Sequence, residues 1–320
     1  MAAPPKKTAI ILAFAALYLI WGSTYLGILF AIRSIPPLLM AGTRFLLAGL
    51  ILYFGARLSG AARSKPIEWR TALIVGACLL LGGNGGVTLA EQYVPSGLAA
   101  LLVATVPLYI ALLSWLFGMS ERPGPMKVLG LAGGFIGVGV LIGPALRFSA
   151  NGESPRAWIG MSILLFSSLI WSAGSLYSRS ARQASSPFLA AGQQMLCGGG
   201  LLLIAGVATG ELRHFDPRQI TMVSLGAFAY LVLIGGIIGY VSYAWLLRHC
   251  DPAKVATYAY VNPIVAILLG TAFAGETLSL RTLVGAGLII SSVAVVIMAQ
   301  QMKAKDSPVP AIIEPAECAR

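Results

Sequence analysis

Arg44 is the one ionised residue set clearly inside a long apolar stretch of this chain, about seven residues from the start of the stretch 37–56. At 1.5 Å per helical residue it lies roughly 10 Å deep. A guanidinium there snorkels to the nearer surface, bonds helix ends, or faces a substrate as a structural or binding cation. It cannot cycle a proton, because it stays charged at any relevant pH. Two amides share such surroundings. Asn84 lies within Gly82-Gly83-Asn84-Gly85-Gly86, and Asn262 directly precedes Pro263. An amide out of water needs a partner: freed backbone, another side chain or a ligand. Thr105 stands two residues before Pro107, and Tyr258 and Tyr260 precede Pro263. Trp21 and Trp171 fall about halfway along their stretches, with Tyr18, Tyr25, Tyr109, Tyr177, Tyr240 and Tyr243 as further aromatics. An aromatic, hydroxyl-bearing cavity suits amphipathic organic solutes. For any single one of these rings, ordinary packing is the competing role.

The eleven carboxylates all lie in loops, in the C-terminal tail or at the ends of apolar stretches. A buried-carboxylate proton relay is therefore not visible, and Glu91 and Glu276 are the nearest candidates, as structural or gating groups. No phosphate-binding GxxxxGK[ST] pattern occurs, so ATP hydrolysis by that route is not expected. Cys78, Cys197, Cys250 and Cys318 form no CxxC pair and read as small core residues. The only histidines, His214 and His249, sit in loops. No metal site and no cofactor is expected.

These groups must be positioned by membrane helices. Of 320 residues, 58% are hydrophobic and 10% charged, and the mean hydropathy is +0.84. A soluble domain carries about 25% charged residues, so a soluble enzyme, a disordered chain and a disulfide scaffold are excluded. Ten spans of about 20 residues use roughly 200 residues and leave short loops. They read as 8–30, 37–56, 71–90, 96–117, 126–146, 157–178, 187–209, 221–247, 252–273 and 282–301. Pro37, Pro95, Pro187 and Pro252 open spans, where a missing N–H costs least. The first run is too long for a signal peptide, and further spans follow it without a break. Residues 302–320 read as a polar, disordered cytoplasmic tail.

The formal charge of +11 would suggest nucleic acid in a soluble protein. Here the basic residues sit in short loops and orient helices instead, so no nucleic-acid partner is expected. With ten spans both termini share one side. Placing that side in the cytoplasm puts 15 of the 22 basic residues inside and 6 outside, with Arg44 in a span. The opposite orientation violates the positive-inside bias.

Residues 17–52 align on 167–202 at a constant offset of 150, with 12 of 36 positions identical. Trp21 falls on Trp171, Pro37 on Pro187, Gly42 on Gly192 and Gly49 on Gly199. Farther along, Pro95 meets Pro252, Pro107 meets Pro263, Glu121 meets Glu276 and Gly130 meets Gly285. Five spans per half is an odd number, so the halves are expected to sit upside down to each other. The fold expected is an all-α membrane protein of ten transmembrane helices in two inverted five-helix repeats, 8–146 and 157–301. Such repeats are a hallmark of secondary transporters; duplication that merely enlarged a bundle is the alternative. Pro107 and Pro263, at matching places in the fourth and ninth spans, point to a shared central region, or to kinks needed only for packing.

The chain resembles the EamA family of the drug/metabolite transporter superfamily. The resemblance rests on IWGSTY (20–25), PPLLMAGTRFLLAG (36–49), GNGGVTLAE (83–91), VPSGLAALLVATVPL (94–108), YAYVNPIVAILLG (258–270) and GETL (275–278). It implies a ten-helix basket with the substrate cavity between repeats and the fifth and tenth helices toward the periphery. It also implies movement of small metabolites, amino acids or toxic compounds, usually outward across the bacterial inner membrane. Arg44 matches the family's second-helix arginine and Glu276 its ninth-helix-end glutamate, whereas Ser120-Glu121-Arg122 departs from the usual Gly-Glu. The expectation is a secondary transporter with partners in a small-molecule substrate and the lipid bilayer, a homodimer being left open. A membrane-embedded enzyme acting on lipid and a permease subunit of a larger complex are the alternatives. The first would need a nucleophile–base pair or metal cluster within a span.

Overall fold

The computed structural model describes residues 7–150, 156–213, 215–250, 255 and 257–306, and every regular element among them is helical. Pro252, His214, Cys318 and the tail beyond Asp306 lie outside the described residues. Ten membrane helices follow in order. They are α1 (Lys7–Ala31), α2 (Pro37–Leu58), α3 (Pro66–Ala90), α4 (Ser96–Leu116), α5 (Pro125–Ala150), α6 (Arg156–Ser180) and α7 (Pro187–Ala208), then α8, α9 (Tyr258–Ala274) and α10 (Leu280–Asp306). In α8, Met222–Tyr230 runs through Leu231–Ile238 into Gly239–His249.

Proline opens α2, α3, α5 and α7. Its fixed φ suits the first turn, where its missing N–H leaves nothing unpaired. The third helix starts at Pro66, ahead of its apolar run 71–90, because Glu68 reaches back to accept from the Lys65 N–H at 3.0 Å. The tenth helix continues to Asp306. The stretch QQMKAKD has no breaker, and Ser307 is the residue that precedes a proline.

The helices turn apolar side chains outward. Leu19, Phe54, Leu129, Phe166, Ile204 and Leu268 are each more than half exposed. In water such a surface would aggregate; in a bilayer it meets hydrocarbon.

Within the bundle two seams dominate, α2 against α7 and α5 against α10. Both are built on glycine, because lipid tails supply no hydrophobic drive between helices and close backbone approach must do so. A β-carbon on Gly49 would stand 3.1 Å from the Gly192 oxygen, and one on Gly199 3.0 Å from the Gly42 oxygen. The glycines matched by the sequence repeat therefore meet each other, with the two helices antiparallel. In the other seam Gly130 lies against Val296, Gly137 against Ile289, and Gly285 against Leu141, also antiparallel.

Gly49→Ala is expected to destabilise the fold by about 1–3 kcal/mol through overpacking, since its β-carbon would sit 2.9 Å from Met195 Cβ. Gly55→Ala, on the same helix with nothing within 4 Å, is the control and is expected to be neutral. Thermal unfolding in detergent measures both; equal effects would remove the seam argument.

Candidate functional site

The third helix of each half changes pitch in its middle. Residues Ala77–Gly85 of α3 and Leu231–Ile238 of α8 form wide π turns. These are the glycine-rich runs of the sequence. Wide turns leave carbonyls without their usual partners and recur at functional sites.

The tryptophans matched by the repeat rest on glycines of the other half, Trp171 inside the π segment of α3 and Trp21 on the residue directly after that of α8. A β-carbon on Gly83 would stand 2.5 Å from Trp171 Cε3, and one on Gly239 2.6 Å from Trp21 Nε1. Only glycine leaves room for the indole at either place. Trp21 gathers an aromatic cluster at centroid distances of 5.2 Å to Tyr243 and 5.1 Å, edge-on, to Tyr258. Tyr243 and Tyr258 lie 6.1 Å apart and Tyr240 joins at 6.3 Å from Tyr243. All four are half-buried.

A polar group lies across the first half. Arg44 is buried and donates through Nη2 to Asn84 Oδ1 at 3.2 Å, while its Nε has no partner. Its guanidinium carbon stands 4.4 Å from the centre of the Phe45 ring. Arg44 thus bonds inward and does not snorkel to the surface. Tyr25 is half-buried, and Tyr25, Arg44 and Glu276 lie within electrostatic reach of Glu91. Glu91 is 3% exposed, with neither carboxylate oxygen bonded. Although it stands at a span end, it is buried where α2 and α6 pack against the end of α3.

The two prolines act differently. The fourth helix is broken into Ser96–Val103 and Val106–Leu116, with Pro107 in the first turn of the second piece. Thr105, at the break, is buried and donates to the Leu102 oxygen at 2.6 Å. Pro263 instead lies inside the unbroken α9. With its amide nitrogen turned toward two carbonyls, Asn262 donates to Tyr18 O at 3.2 Å and Tyr258 O at 3.3 Å, tying α9 to α1. Tyr109 sits apart from the aromatic cluster, 5.8 Å from Phe135 of α5. Two hollows of about 350 and 430 Å³ open near the ends of α1 and α8 and of α2 and α7, and the candidate residues line neither.

Two carboxylates lock helix starts. Glu276 Oε1 accepts from the Ser96 N–H and hydroxyl, both at 2.7 Å, and its Oε2 from the Gly97 N–H at 3.0 Å. Gly275, at φ 67°, ends α9 in the left-handed region and turns the next residue back toward α4. Glu211 accepts from the Leu38 and Leu39 N–H groups of α2 at 3.1 and 2.9 Å. Glu211 was missed in the sequence because it follows α7 in an ordinary loop and has no acidic counterpart in the other half.

A bundle that turns leucine, isoleucine and phenylalanine outward and keeps its polar groups between helices defines a multi-pass α-helical membrane protein. The sequence pattern of the EamA-like transporter family matches the chain twice, over residues 7–143 and 158–298. The chain belongs to that family and is a membrane transporter. It is 39% identical over 291 residues, 91% of each chain, to the uncharacterized inner membrane transporter YedA of Escherichia coli K12. It is 27% identical over 281 residues to a protein of Salmonella typhimurium named a probable amino-acid metabolite efflux pump, covering 85% of this chain and 89% of that one. A crystal structure with TM-score 0.59 and 20% identity, covering 93% of this chain and 100% of the other, shares the fold.

Proposed function

We propose that the protein is a secondary exporter of small amphipathic solutes, amino acids among them, working by alternating access across the bacterial inner membrane. The observation that carries the reading is the crossed seating of Trp171 within the π segment of α3 and of Trp21 on Gly239, directly after that of α8. Two five-helix repeats, 8–146 and 157–301, inverted about the bundle centre, would then share one central region. The antiparallel run of α2 on α7 and of α5 on α10 supports that inversion. Rocking one half against the other exchanges two packings of similar energy. The aromatic cluster offers faces for an apolar or cationic part of the solute. Arg44 and Asn84 offer donors to an anionic part. Amino acids enter the proposal through the name of the Salmonella relative.

In this reading both termini are cytoplasmic, with 146–156 and the Glu211 and Glu276 locks on the outside. The structure is then the outward-closed state. Purified protein in liposomes, without ATP or a partner, should take up at least one solute from a panel of radiolabelled amino acids. Absence of uptake would favour a subunit or an enzyme acting on lipid. In cells, a membrane-impermeant thiol reagent should label Ser149→Cys and spare Cys318; the reverse pattern would overturn the orientation.

A further inference from the structure

Glu91 is the buried group that transport of a solute alone does not use. Its carboxylate is 3% exposed, and among the described residues no donor reaches either oxygen. The charged and titratable groups within electrostatic reach of it are Tyr25 from α1, Arg44 from α2 and Glu276 from the end of α9. From α6, the last turns of α3 meet Ile163 and Ser167, neither of them charged. An anion in these surroundings lacks hydrogen bonds and is opposed by a second carboxylate, with Arg44 as its counter-charge among the described residues. Arg44 is already committed to Asn84. A proton on Glu91 removes the anion and supplies an O–H donor, so the site can exist in two charge states.

Its place in the fold gives that choice a direction. Glu91 follows directly on the last residue of α3, and the Glu276–Ser96 lock joins α9 to the start of α4 beside it. Opening that lock would admit external water to the carboxylate.

We propose that Glu91 is the proton-binding group that couples solute export to proton entry. The inference rests on the export reading above. When the outer side opens, a proton from external water binds a Glu91 oxygen and the side chain becomes neutral. When the inner side opens and solute enters, the O–H bond breaks and the proton leaves to cytoplasmic water, restoring the anion opposite Arg44. One proton moves inward, solute moves outward, and nothing is oxidised or reduced.

Infrared difference spectra of the purified protein in lipid nanodiscs, between acidic and alkaline buffer, test this without a solute. A protonated-carboxyl stretch should appear on acidification in the wild type, vanish in Glu91→Gln and persist in the control Glu68→Gln, whose half-buried carboxylate caps the start of α3. Glu91→Asp, which keeps a titratable group, should shift the midpoint of that band and decides the assignment if the glutamine variant does not fold. A band unchanged in Glu91→Gln, or no pH-dependent band in the wild type, overturns the proposal. In liposomes with an imposed pH gradient and the radiolabelled amino-acid panel, Glu91→Gln should lose the gradient-driven component of transport. If the wild type carries none of the panel, the solute class fails, and the infrared result still decides the proton site.

Discussion

Arg44→Ala is expected to lose most transport and about 3–5 kcal/mol of stability, the cost of stripping a buried charge of its counter-charge. The argument rests on what the guanidinium leaves behind. Asn84 Oδ1 loses its donor, and Glu91, with both oxygens already unbonded, loses the cation within its electrostatic reach. Arg44→Lys keeps a charge but loses the planar fork that spans two helices, so it should insert and fold while losing part of the activity. Pairing Arg44→Ala with Glu91→Gln should recover stability but not transport, because the orphaned anion is then gone. Thermal unfolding in detergent and initial transport rate per folded protein measure the two effects separately. Wild-type behaviour of Arg44→Ala would show that the cation is dispensable.

Glu276→Ala is expected to cost about 3 kcal/mol, since its carboxylate accepts three hydrogen bonds at the start of α4 and bonds to a charged group contribute roughly 1.5–3 kcal/mol each without being additive. Helix N-termini favour anions, which adds to the effect. Glu276→Gln retains an acceptor for Ser96 but turns an NH₂ toward the Gly97 N–H, so it should fall between alanine and wild type. The loss has two readouts. The melting temperature should drop, and a cysteine placed at Val94, which is buried beside the lock, should react faster from outside as the closed state is depopulated. About 3 kcal/mol corresponds to more than a hundredfold change in that equilibrium. An unchanged labelling rate with a lowered melting temperature would make Glu276 a structural cap and nothing more.

The sequence by itself determined the architecture of ten apolar helices and where most of them begin and end. A bilayer forces every buried backbone group into a helix, so a run of apolar residues has one available structure. Proline at the helix starts reinforced the boundaries. The doubled sequence pattern was legible too, but that Gly42 and Gly49 meet Gly199 and Gly192 needed the packing of α2 on α7. The wide turns of α3 and α8 were only half visible. The glycines read as packing positions, and the change of pitch itself was not visible in the sequence. The same holds for the polar groups. Arg44 stood out because an ionised residue in an apolar run is rare, whereas its bond to Asn84 needed α2 and α3 side by side. Glu91 read as a span-end carboxylate, structural or gating, and Pro107 and Pro263 read as equivalent. Burial of the first and the unlike backbones of the other two were decided only by tertiary structure, because solvent access and the partners of a freed carbonyl are set by neighbouring helices and not by position along one of them.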